Sequence, residues 1–310
     1  MNTVVEKGIR SAQAKSTVSK INYYLCGAII AVLIWSTSFV GTKMAYASFP
    51  PLTLGAVRFL IAAAVLGIVR MVIKEQVVKP TRKDLGLIAL SGLLGTTIYF
   101  ALENIGLDLT SASNAALIIA SYPAITALLE FIFYRTRISW VKGLGIAVAI
   151  FGIYLISGGT QGGQGEQELF GNSLLIAAGV VFALYTFTTR KVVSKYSMLT
   201  ISYYQMLIGS IAFIPLAFFE VDRWQIPTSG SMLMVVYLGI FCSVIAFFLY
   251  NLALRNLSSS TAVALMNLVP VFGVLLSVVV LNEVLRGGQY IGGIIVLIGV
   301  VLSVRETKTS

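Results

Sequence analysis

Apolar residues gather along this chain in long runs separated by short polar and basic breaks. The hydrocarbon core of a bilayer, about 30 Å thick, is crossed by roughly 20 apolar residues in a helix. Runs of that length predict ten spans, at residues 24–46, 51–73, 84–104, 111–133, 141–158, 171–190, 199–219, 231–251, 260–281 and 288–304. Lipid offers no partner to exposed backbone N–H and C=O groups, so each run is expected to satisfy its own as helix. The short connections suit a compact bundle. The expected class is an all-α integral membrane protein with ten transmembrane helices.

The basic residues say which way such a bundle faces. With the N-terminus inside, the tail holds Lys7, Arg10, Lys15 and Lys20, and the 2–3 loop holds Arg70, Lys74, Lys79, Arg82 and Lys83. Arg135, Arg137 and Lys142 fall in the 4–5 loop, Arg190, Lys191 and Lys195 in the 6–7 loop, Arg255 in the 8–9 loop, and Arg305 and Lys308 at the C-terminus. Only Arg223 and Arg286 fall on the other side, while Lys43 and Arg58 lie within spans. Positive charge is retained on the cytoplasmic side, which places both termini there, in the cell membrane. A span miscounted by one would destroy this alternation.

Composition agrees and removes several functions. Of 310 residues, 57% are hydrophobic and 11% charged, and the mean hydropathy is +0.91. A soluble domain carries about a quarter charged residues, so this chain cannot cover itself with charge and its solvent is lipid. The net charge of +10 is explained by topology rather than by a nucleic-acid-binding patch. There is no His, which removes the commonest catalytic base, metal ligand and proton relay. Cys26 and Cys242 lie in apolar runs and read as small hydrophobes, with no metal cluster and no disulfide framework. No metal or cofactor is expected. The polar, basic residues 1–23 lack a signal-peptide core and are expected to remain as a tail.

Polar groups recur inside the apolar runs in a repeated way. "SNAALIIASYP" (113–123) carries Asn114, Ser121, Tyr122 and Pro123, and "STAVALMNLVP" (260–270) carries Asn267 and Pro270. The two prolines are 147 residues apart. The same ungapped shift lays Lys43 on Arg190, Leu52-Thr53 on Leu199-Thr200, Gly92 on Gly239 and Asn104 on Asn251. It also lays Ser111 on Ser258, Gly145 on Gly292 and Gly152 on Gly299. Each copy holds five predicted spans, and an odd number makes the second copy enter from the opposite side. Two inverted five-helix repeats, 24–158 and 171–304, are thus expected, joined by an external linker at 159–170 and followed by a cytoplasmic tail at 305–310. Inverted repeats are a recurring plan of secondary transporters.

The ten spans, the two halves, and the segments "LTSASNAALIIASYP" and "LSSSTAVALMNLVP" resemble the EamA-type carriers of the drug/metabolite transporter superfamily. The resemblance covers residues 24 to 304. "LNEVL" (281–285) followed by "GGIIVLIGVVL" (292–302) is similar to the usual end of the second half, whereas the first half has "YRTRIS" (134–139) where a "GE"-like turn is usual. The resemblance implies a ten-helix carrier, often an exporter of amino acids or related metabolites.

Candidate site residues follow from polarity at depth. A helical proline removes one hydrogen bond, freeing the carbonyl of Ile119 for Pro123 and of Met266 for Pro270. Pro123 lies about 18 Å into its span, near the midplane. These positions are either local packing kinks or the lining of a central cavity by helices 4 and 9. Arg58 is the deepest full charge and reads two ways, as a carboxylate-binding or gating residue or as a snorkelling anchor; its counterpart in the second half is Gln205. Lys43 reads as an end-of-span anchor or gating group. Glu103 is a candidate proton acceptor or partner of Arg58, or meets headgroup water, and Glu130 reads similarly at the inner end of span 4. Trp35, Tyr99, Tyr122 and Tyr185 are candidate cavity walls or core packing, and Asn114 and Asn267 are candidate amides. "GGTQGGQG" (158–165) is a linker rather than a phosphate cradle; Gly143, Gly145, Gly288, Gly292 and Gly293 suit close helix contacts.

Taken together, the residues favour a secondary transporter, and an exporter by the resemblance, moving small organic metabolites by alternating access. A membrane enzyme would need clustered acids, His or a nucleophile–base pair, and a channel would need rings or filters of polar groups. A channel or non-transporting scaffold is the alternative. The expected partners are a small-molecule substrate and the bilayer, without nucleic acid.

Overall fold

A computed structural model of the chain describes residues 2–73, 79–135, 139–157, 163–249 and 268–304. Regular structure among them is entirely helical, in ten helices: α1 (Asn2–Ala45), α2 (Pro51–Ile73), α3 (Arg82–Leu109), α4 (Ala112–Tyr134), α5 (Trp140–Ser157), α6 (Gly163–Arg190), α7 (Met198–Arg223), α8 (Ser229–Leu249), α9 (Leu268–Leu281) and α10 (Gly287–Val304). Eight of these, α1 to α8, contain segments long and apolar enough to cross a membrane. The apolar helices Leu268–Leu281 and Gly287–Ser303 are shorter, so the expectation of ten spans is met in part. For the ninth, residues 260–267 of the expected span lie outside the described residues. The basic stretch expected as a separate tail continues α1 back to Asn2. Its Ala, Lys, Glu, Gln and Arg residues favour helix, and no proline occurs before Pro50.

Starts and breaks follow local chemistry. Pro51 opens α2, where its missing N–H costs nothing. The side chains of Thr81, Ser111, Ser197 and Thr228 each accept from the backbone N–H three residues on, as N-caps do. Two helix starts, those of α2 and α4, also receive a carboxylate from far along the chain. Glu220 accepts from the N–H groups of Leu52 (3.1 Å) and Thr53 (2.7 Å) at the head of α2. Glu283 accepts from those of Ala112 (2.8 Å) and Ser113 (2.9 Å) at the head of α4. A carboxylate is favoured there by the exposed N–H groups and the positive end of the helix dipole.

The repeat seen in the sequence returns in the packing. α2 lies against α7, α4 against α9 and α5 against α10, each against its own counterpart; α1 meets α8 and α9 as α6 meets α3 and α4. A Cβ on Gly92 would lie 2.8 Å from the carbonyl oxygen of Gln205, and one on Gly239 would lie 3.0 Å from that of Arg58. These are one contact made twice under the 147-residue shift. Along α5 and α10, Gly145 meets Gly299 and Gly152 meets Gly292, an antiparallel seam with glycine on both sides. The third helix of each half carries a π-helical segment, Leu93–Ile98 and Leu238–Ile245. The described non-glycine residues with positive φ, Arg135 (51°) and Asn282 (54°), are also counterparts.

Outside these seams the helices turn large apolar side chains outward, among them Leu233, Phe248 and Ile291. Apolar surface on that scale belongs against lipid.

Candidate functional site

The least exposed charged side chain among the described residues is on α2. Arg58 is seven residues in from Pro51, about 10 Å along the helix, and only 5% exposed. Its Nε donates to Ser243 Oγ at 2.9 Å, and its guanidinium lies over Phe100 (4.8 Å) and Phe59 (5.3 Å). Arg58 therefore does not reach the surface as a snorkelling anchor would. Ser243 is positioned by the π segment of α8, where its hydroxyl donates to the Leu238 carbonyl five residues back, at 3.0 Å. The widened turn takes carbonyls out of the regular ladder: the N–H of Ala246 goes to Phe241, and the Cys242 carbonyl accepts from Trp35 Nε1 at 3.0 Å. One irregular turn thus serves both Trp35 and Arg58.

Glu103 faces this region from α3, six residues short of Leu109 and so at about 9 Å from that end. It is 9% exposed, and its Oε2 has no hydrogen-bond partner among the described residues. The carboxylate interacts with the Tyr99 hydroxyl one turn back and feels the charge of Arg58. No ion pair within 4.0 Å joins Glu103 to Arg58. The neighbouring Asn104 ties three helices together: its Nδ2 donates to the Pro51 carbonyl (3.0 Å) and its own carbonyl accepts from Tyr46 (2.7 Å).

An aromatic ladder continues from this point. Tyr99 packs edge-on to Phe100 and Tyr122, with centroids 4.6 and 6.2 Å away, and Phe182 joins Tyr99, Tyr122 and Tyr185 at 5.7 to 5.8 Å. The Tyr122 hydroxyl donates to the Leu175 carbonyl at 2.9 Å, tying α4 to α6. Just before it, α4 breaks between Ile119 and Tyr122, and the Ser121 hydroxyl donates to the Ile118 carbonyl at 2.6 Å. Pro123 sits in the first turn after the break.

Other sequence candidates lie apart from Arg58 and Glu103. Asn114 is fully buried, with its Nδ2 donating to Glu168 (2.6 Å) and Thr110 (3.0 Å) and its Oδ1 accepting from Gln289 (2.7 Å). Glu168 also pairs with Arg286 at 3.0 Å. Asn114 is therefore committed to a polar bracket across α4, α6 and the start of α10. Gln205 donates to Ser91 (2.8 Å) and Thr189 (3.2 Å) toward the other end of the bundle. Lys43 is half-buried in the last turn of α1, and Pro270 is buried in α9. Asn267 lies outside the described residues.

The two ends of the bundle are tied differently. At the end of the α1–α2 and α3–α4 turns, Arg223 pairs with Asp108 (3.7 Å) and Glu168 with Arg286. At the opposite end, Asp84 accepts from Lys195 Nζ and the Tyr196 hydroxyl, both at 2.9 Å. That hydrogen bond holds the Lys195 ammonium above the ordinary lysine range. Glu130 there meets Arg190 (3.5 Å) and Lys142 (3.9 Å). A polar recess of about 320 Å³ opens beside Glu168, Glu283 and Arg286, and an apolar one of about 340 Å³ beside Phe49, Leu60 and Trp224. Neither includes Arg58 or Glu103.

Sequence reasoning missed the Ser243 support of Arg58, the two carboxylate caps and the Glu168–Arg286 bracket. The available signal was the placing of Glu220, Glu168 and Glu283 beside span ends.

The profile of the EamA-like transporter family matches residues 22–158 and 169–305. The chain belongs to this family. Relatives include a probable terminal-alkyne amino-acid exporter of Streptantibioticus cattleyicolor, 30% identical over 93% of this chain and 95% of its own. An uncharacterized transporter of Archaeoglobus fulgidus is 30% identical over 88% and 94%. The uncharacterized transporter YetK of Bacillus subtilis is 27% identical over 97% and 92%. One crystal structure, 19% identical, covers 91% of this chain and 97% of its own with a TM-score of 0.64, a likeness of fold. This EamA chain is thus a multi-pass membrane transporter built from two repeats.

Proposed function

We propose that this chain is a secondary transporter, not an enzyme, that exports small organic metabolites such as amino acids or related compounds. Ten spans in two inverted halves sit in the cell membrane with both termini in the cytoplasm. The observation that carries this reading is the doubled contact set: Gly92 on Gln205 and Gly239 on Arg58, with the antiparallel glycine seam of α5 and α10. Two copies of one structure facing opposite ways have two similar packings, whose exchange opens the centre first to one side and then to the other. The relative described as a probable amino-acid exporter supports the substrate class and direction.

Within this reading, Arg58, Trp35, Tyr99 and Tyr122 form the substrate face near the centre, with Tyr185 extending it. Gln205 and Asn114 stand farther along the path, Glu103 and Lys43 are coupling or gating groups, and the α4 break before Pro123 supplies a bend; Asn267 remains a candidate amide by its sequence alone. The test is counterflow in liposomes with a panel of amino acids and organic cations, with and without a pH gradient. Saturable exchange of one class is expected. Flux that rises linearly with concentration and never exchanges would make the protein a channel, and folded protein moving none of a broad metabolite panel would make it a scaffold.

A further inference from the structure

We propose that Arg58 and Glu103 together hold a zwitterionic α-amino acid, the guanidinium taking its carboxylate and the Glu103 carboxylate its ammonium group. The assignment deepens the transporter reading above and rests on it. Both groups are more than nine-tenths buried, and they lie at similar depth from the same end of the bundle, about 10 and 9 Å along α2 and α3. Each has bonding capacity the protein leaves unused. Arg58 donates through Nε to Ser243, and its two terminal nitrogens make no hydrogen bond among the described residues. Glu103 Oε2 has no partner there either.

Burying opposite charges is tolerated when they are paired and hydrogen-bonded, and is costly otherwise. These two interact through space without closing into an ion pair. A simple anion would answer Arg58 and leave Glu103 unmet; a simple amine would do the reverse. A ligand with both charges one carbon apart answers both. The geometry of Arg58 suits the carboxylate end: Ser243 fixes Nε, Phe59 and Phe100 flank the guanidinium, and the terminal nitrogens remain as donors for a two-point contact. Tyr99, beside Glu103, begins the aromatic wall on which the side chain would lie.

The test uses full-length purified protein and three matched sets: alanine, leucine and phenylalanine, each with its decarboxylated amine and its deaminated acid. Binding is read as a ligand-dependent rise in Tm, and transport as counterflow in liposomes. Only the amino acids are expected to raise Tm and exchange, and Arg58→Gln and Glu103→Gln should each weaken binding at least about tenfold, with Arg58→Lys intermediate. The matched sets on unaltered protein carry the test even if a variant misfolds. An amine or an acid acting as well as its amino acid would overturn the assignment, as would Glu103→Gln binding unchanged. Amino acids that bind without exchanging would keep the site and overturn the transporter reading. Counterflow of other solutes with none of the nine compounds binding would overturn the site and keep the transporter.

Discussion

The seam between α5 and α10 offers a direct test of the repeated packing. A Cβ added at Gly145 would meet Ser303 N at 2.4 Å and Gly299 O at 2.7 Å; one added at Gly292 would meet Gly152 O at 2.7 Å and Ile156 N at 3.0 Å. The obstructing atoms include backbone on both sides, so no side-chain rotation relieves the overlap and the helices must part. Opening the seam by about 0.5–1 Å forfeits a quarter to a half of each dispersion contact along it. Within a membrane, helix association depends on such contacts. Overpacking of this kind costs about 1–3 kcal/mol. Gly86 provides the control, because a Cβ there meets nothing within 4 Å. All three Gly→Ala changes share the gain in helix propensity, about 1 kcal/mol in water. The difference between Gly86→Ala and the seam variants therefore isolates the overlap, at about 1–3 kcal/mol. Reversible unfolding in mixed micelles with increasing SDS would measure it. Gly145→Ala and Gly292→Ala should fall alike, since they break the same contact in the two halves. Either variant as stable as Gly86→Ala would refute the close seam.

The distant caps and the charge tie at the opposite end give two further tests. Glu220→Ala and Glu283→Ala should each lose about 1–3 kcal/mol in the same unfolding measurement, because two N–H groups at a helix start lose a charged acceptor; a loss below about 0.5 kcal/mol would make the caps incidental. For Lys195, the proton is held by the hydrogen bond to Asp84, so its folded-state pKa is raised. The resulting stability is fully present below the ordinary lysine value of about 10.4 and is lost as pH rises through the raised one. The Tm difference between the wild type and Lys195→Met should accordingly stay constant from neutral pH to about 9 and shrink only above about 10.4; a difference that fades near pH 8 would show that another group governs it.

What the sequence disclosed, and what it did not, divides along a physical line. Long apolar runs are imposed by lipid residue by residue, so the helices α1 to α8 were legible without knowing any contact. The 147-residue shift carried information about contacts as well, because an inverted pair packs several helices against their own counterparts. Gly145 with Gly299, and Gly152 with Gly292, sit on such a self-facing seam. By contrast, Ser243 under Arg58, Glu283 on Ala112 and Glu168 on Asn114 join positions 185, 171 and 54 residues apart, and neither periodicity nor the shift pairs those residues. The irregular turns were hidden for a related reason: a π segment is a change in hydrogen bonding, which the residue types of Leu93–Ile98 and Leu238–Ile245 do not mark. Arg58 and Gln205 show how symmetry and chemistry separate. Their backbones make the same contact, each against a glycine of the other half's third helix, yet one side chain brings a charge toward Glu103 and the other an amide to Ser91 and Thr189. The repeat constrains the backbone at that position and leaves the side chain free, so a symmetric fold can hold a polar site belonging to one half alone. A search for the site is therefore best directed at counterpart positions whose packing agrees and whose charges differ.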